Sequence, residues 1–91
     1  MSEAARKVEV INERGMHARA SAKFVKLAAE FEAEITVSRD GQTVDARSIM
    51  GLMMLAAGPG STIELKAEGA DAKAALDALC ELVERRFDEE R

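Results

Sequence analysis

The sequence predicts an α+β fold: an open-faced β-sandwich in the order βαββαβα, a four-stranded antiparallel sheet with three helices on one face. Three observations predict it. Short runs of alternating or near-alternating apolar and polar residues recur at 7–11, 34–38, 43–45 and 62–67, as half-buried strands require. Stretches with helical apolar spacing lie between and after them. The strands set Glu9, Thr36 and Glu64 on their polar side, as expected of a sheet covered on one face only.

The elements follow in order. Residues 1–6 are polar and read as a loose tail before the first strand at 7–11. Asn12 to Gly15 are turn-forming residues that break it. A helix of about four turns spans 18–32, with Ala22, Val25, Leu27, Ala28, Ala29 and Phe31 recurring as its apolar positions and Lys23, Lys26 and Glu30 outside. Asp40-Gly41, between the strand at 34–38 and a short return strand, is a strong hairpin signal. Ser48 is placed to cap a short helix that starts at Ile49 and stops before Gly58-Pro59-Gly60. After the last strand, Asp71 stands as N-cap of a helix running from Ala72 to near Phe87. Its inner face reads Ala72, Ala75, Leu76, Leu79, Leu82, Val83 and Phe87. Residues 88–91 read as a frayed end.

Ninety-one residues make a single domain, 1–91. The apolar share is large but alanine-rich, with three Phe and no Trp or Tyr, so the core should be thin and aliphatic. Seventeen acidic against thirteen basic residues give a net charge of −4, which argues against nucleic acid as a partner. The lone Cys80, inside a helical pattern, reads as a small buried hydrophobe; no Cys/His cluster suited to zinc is present. No leader-like opening and no apolar run of about 20 residues appear, so no membrane insertion and a cytoplasmic location are expected.

Chemistry concentrates at the single histidine, His17, in Arg14-Gly15-Met16-His17-Ala18-Arg19-Ala20. It falls where extended chain turns into helix. The unpaired N–H groups and positive dipole end of a helix start form an anion site. An imidazole there is suited to carry a phosphoryl group, and Arg19, in the same turn, can add a bidentate grip. Apart from Met1, every methionine lies beside His17 or Ser48. Met16, Ile49, Met50 and Met53 are therefore expected to form an adaptable docking patch, with Leu52 and Leu55 turned inward.

The chain resembles the HPr family, the histidine-containing phosphocarriers of the bacterial phosphotransferase system, over about residues 7–87. Three features carry the resemblance: Gly15-Met16-His17-Ala18-Arg19, similar to the family's phosphorylation site; Ser48-Ile49-Met50-Gly51-Leu52-Met53, similar to its regulatory serine segment; and the element order with the turn at Gly58 to Gly60. The resemblance implies that the Nδ1 atom of His17 accepts phosphoryl from enzyme I and yields it to an enzyme II A domain. It also implies that Ser48 answers to HPr kinase/phosphatase, and that the carrier is a monomer without cofactor or metal and no enzyme itself. The N–H groups of Ala18 and Arg19 would hold the phosphoryl oxygens. One departure stands out: Ala20 occupies the position where the family usually has proline, which is expected to alter rigidity and phosphohistidine lifetime. Two alternatives compete. One is a nitrogen-related branch of the same system with a regulatory output; the other is a binding module controlled by Ser48 alone, with His17 idle.

Overall fold

The computed structural model describes residues 2–91, and the expected βαββαβα order is what it shows. The elements are β1 (Glu3–Glu9), α1 (Ala18–Ala28), β2 (Glu34–Arg39), β3 (Gln42–Asp45), α2 (Ile49–Met54), β4 (Thr62–Glu68) and α3 (Ala72–Glu84). A single turn of 3₁₀ helix, Arg86–Asp88, follows. The sheet order is β1-β4-β2-β3, with every pair antiparallel.

Period-two burial makes the sheet one-sided. Val8, Ile35, Val37, Ile63, Leu65 and Ala67 are buried toward the helices, while Glu9 and Lys66 face solvent and Thr36 and Glu64 are half-buried. The hairpin between β2 and β3 turns through Asp40 and Gly41, both at positive φ (50° and 82°), as a two-residue turn between twisted strands requires.

The core is aliphatic, with Phe24 and Phe87 as fully buried aromatic side chains. Cys80 lies in it at 1% exposure, and burial pushes its thiol pKa up, against the lowering effect of nearby Arg6. All seven inner positions expected for the last helix are buried, though Phe87 lies beyond the end of α3.

Three expectations are corrected and one, the cap of α3, is refined. Residues 3–6 are strand, because β4 pairs with β1 along its whole length, from Glu3 opposite Glu68 to Glu9 opposite Thr62; only residue 2 remains as a described tail. Helix α1 ends at Ala28 and buries Ala20, Ser21, Phe24 and Ala28. Ala22 and Ala29 are exposed, and Val25, Leu27 and Phe31 are only half-buried. In so alanine-rich a helix, the phase is set by where Phe24 enters the core. Asp71 is the N-cap residue of α3, as expected, but its side chain makes no capping bond to the helix. Its carboxylate instead accepts from the N–H groups of Glu32 and Ala33, both at 2.9 Å, pinning the loop before β2. Residues 88–91 are not frayed: the Glu89 side chain bonds to those of Asn12 and His17, and the carbonyl of Arg91 accepts from the N–H of Glu13 at 2.9 Å.

Candidate functional site

His17 is the N-cap residue of α1, with extended backbone, and its side chain makes no capping bond to the helix. The helix start is therefore not closed by its own cap. Its first N–H groups, from Ala18 onward, lack the partners that an interior turn would supply. No acidic residue occupies the first turn to neutralise the dipole.

The turn that delivers His17 is tightly specified. Gly15 sits at φ +65°, in the left-handed region that glycine tolerates. The N–H of Met16 donates to the carbonyl of Ala57 at 3.0 Å, tying this turn to the loop after α2. Asn12 is fully buried, and its Nδ2 donates to the carbonyl of Gly15 at 2.9 Å. Ser21 Oγ donates to the carbonyl of Met16 at 3.1 Å.

Arg14, Arg19 and Lys23 converge beside the histidine on a shallow depression that Glu13, Asp88, Glu89, Glu90 and Arg91 also line. Among the described residues the Arg19 guanidinium has neither an ion-pair nor a hydrogen-bond partner, so it is free to meet an anion. Lys23 is engaged, its Nζ donating to the carbonyl of Phe87 at 2.7 Å.

Across the ring, the Nε2 atom of His17 hydrogen-bonds to Oε2 of Glu89, and Oε1 of Glu89 accepts from Asn12 Nδ2 at 2.9 Å. Partial burial pushes the Glu89 carboxyl up. Hydrogen bonds from Asn12 and His17, with the charges of His17 and Arg14, outweigh that and leave it below the ordinary glutamate value. Neither Asn12 nor Glu89 was singled out from the sequence. In the sequence Asn12 is a turn residue and Glu89 belongs to a frayed end; no local pattern marks a pair separated by 77 positions.

The second expected site is at the start of a different helix. Ser48 is the N-cap of α2, its Oγ accepting from the N–H of Gly51 at 2.9 Å. The helix it caps presents Ile49, Met50, Met53 and Met54 to solvent, with Met50 75% exposed, and buries Leu52; Leu55, just past its end, is also buried. Met16 corrects the expected docking patch. It is 6% exposed, because the turn at Gly15 directs it inward, and it belongs to the core. Ala20, at the third position of α1, is fully buried.

An open helix start presenting one histidine, on a one-sided sandwich, is the arrangement of a histidine phosphocarrier domain. The family model described as the PTS HPr component phosphorylation site matches residues 4–85. The chain is 52% identical over 84 residues to a phosphocarrier protein HPr of Cupriavidus necator, covering 92% of this chain and 94% of that one. It is 48% identical to a phosphocarrier protein NPr of Shewanella violacea, covering 98% of each. A crystal structure of HPr from Thermoanaerobacter tengcongensis superposes with a TM-score of 0.90 at 42% identity, covering all of both chains. The chain belongs to the HPr family of phosphotransferase-system phosphocarriers. Among the described residues no helix is long and apolar enough to cross a membrane.

Proposed function

We propose that this chain accepts a phosphoryl group on Nδ1 of His17 from phospho-enzyme I and passes it to a histidine of an enzyme II A domain. The observation that carries this reading is the uncapped start of α1 at His17, with an unpartnered Arg19 in its first turn. The lone pair of Nδ1 attacks phosphorus in line. The new N–P bond forms as the donor's N–P bond breaks, and the donor imidazole leaves with the electron pair. The N–H groups of Ala18 and Arg19 hold the equatorial oxygens, and the Arg19 guanidinium balances charge in the transition state. The carrier turns over no small molecule, binds no cofactor or metal, and works as a monomer in the cytoplasm.

Ile49, Met50 and Met53 form the docking surface, their flexible side chains fitting successive unlike partners. Ser48 is the regulatory site for HPr kinase/phosphatase. A phosphate there sits at a helix start, which tolerates it, and places charge at the edge of the docking surface. The near-equal identity to relatives named HPr and NPr supports a second reading, in which the acceptor belongs to a nitrogen-related regulatory branch and no sugar is moved.

The test is intact mass after incubation with phosphoenolpyruvate and enzyme I from the same source. One added phosphoryl group, lost in mild acid and absent from His17→Ala, is expected. Transfer that survives His17→Ala overturns the proposal. Offering sugar-branch and nitrogen-branch A domains to the phosphorylated chain then separates the two readings.

A further inference from the structure

The C-terminal segment has work that its acidic, polar sequence does not advertise. Arg86, Phe87 and Asp88 all lie at positive φ (59°, 55° and 63°), so the chain reverses sharply after α3. Left-handed backbone is unfavourable for any residue with a Cβ, and here several ties oppose that cost. Phe87 is fully buried, its carbonyl accepts from Lys23, and the carbonyl of Arg91 accepts from the N–H of Glu13 at 2.9 Å. The reversal delivers Glu89 to His17. Both side chains are only 18% exposed. Asn12 holds the other carboxylate oxygen and, through its second amide proton, the turn that presents the histidine.

We infer that Glu89 is a positioning residue for the phosphoryl relay: it occupies Nε2 of His17 and leaves Nδ1 as the ring nitrogen open to phosphorus. The inference rests on the reading of His17 as the phosphoryl acceptor. A neutral imidazole carries its proton on one nitrogen and its lone pair on the other. A carboxylate can only accept, so Nε2 carries the proton and Nδ1 the lone pair. Among the described residues Nδ1 makes no hydrogen bond, and it is not among the buried unpartnered atoms. When Nδ1 takes the phosphoryl group the ring becomes an imidazolium that keeps its Nε2 proton, and the Glu89 carboxylate compensates that charge. When the group leaves, the N–P electron pair returns to Nδ1 and the starting tautomer is restored. No proton need enter or leave at Nε2 in either direction.

The test removes partner proteins, since a docked donor could itself choose the nitrogen. The full chain is treated with phosphoramidate, whose P–N bond breaks to release ammonia. The first product is then assigned to Nδ1 or Nε2 by ³¹P and ¹⁵N NMR. The wild-type chain is expected to give mainly Nδ1-phosphohistidine. Glu89→Ala is expected to raise the Nε2 share several-fold, Glu89→Gln to raise it less because the ring stays covered, and Glu84→Ala to leave it unchanged. Circular dichroism confirms that each variant is folded. An unchanged product ratio in folded Glu89→Ala overturns the positioning role and leaves the carrier reading intact. A wild-type chain that accepts phosphoryl from neither phosphoramidate nor enzyme I overturns both.

Discussion

At the scale of single residues, Gly15 and Glu89 govern how His17 is presented, one through the backbone and one through a carboxylate. A Cβ on Gly15 would stand 2.5 Å from the carbonyl oxygen of Ala57 and 2.9 Å from Cα of Gly58, both backbone atoms that cannot swing away. Gly15→Ala should therefore cost about 1–3 kcal/mol, read as a lower urea midpoint; an unchanged midpoint would show that the turn relaxes freely. Glu89 carries a pH dependence. Its folded pKa is lowered, so the stability it contributes is present above the unfolded value, near 4.5, and is lost as pH falls from there through the lower folded value. The difference in urea midpoint between wild type and Glu89→Gln should be present at pH 6 and shrink toward pH 3. A difference that grows with acid would contradict the sign.

The elements are held at their ends by side chains as much as by their own hydrogen bonds. Ser48 caps α2, Arg39 Nη1 donates to the carbonyl of Leu55 at 2.7 Å beyond its last turn, and Arg47 Nη2 donates to the carbonyl of Phe31 at 2.9 Å. A helix of six residues cannot stand on propensity alone. Ser48→Ala should cost about 1 kcal/mol and speed amide exchange across Ile49–Met54 more than across α3. Equal exchange in both variants would mean that packing, rather than the cap, holds α2. Helix α3 was legible residue by residue, because three leucines and a valine at helical spacing leave one phase. Helix α1 was legible as a helix but not in phase: alanines at 18, 20, 22, 28 and 29 serve either side equally, and only Phe24 breaks the tie.

Over the whole molecule, the two ends of the described chain are built into the fold. Residues 3–6 extend β1 along β4, and Arg6 Nη1 reaches Asp77 Oδ1 on α3 at 2.8 Å. At the other end Phe87 anchors the reversal that brings Glu89 back across the molecule. Phe87→Ala should cost about 3–5 kcal/mol, read by urea denaturation. It should also free the segment after it, so that Glu89 no longer shields His17 and the phosphoramidate product shifts as in Glu89→Ala. Full stability in Phe87→Ala would show that the C-terminal segment is not part of the core.

The element order, the Asp40-Gly41 hairpin, the inner face of α3, and the placing of His17 and Ser48 at helix starts are all legible before the chain is folded. Each is a local matter of spacing, turn chemistry or capping, written within a few adjacent residues. The length of β1, the phase of α1, the inward turn of Met16, the service of Asp71 to a distant loop, and the meeting of Asn12, His17 and Glu89 emerge with the folded chain alone. Those depend on pairing and packing between residues far apart in the chain. A carboxylate near the C-terminus looks solvated until the fold brings a histidine to it.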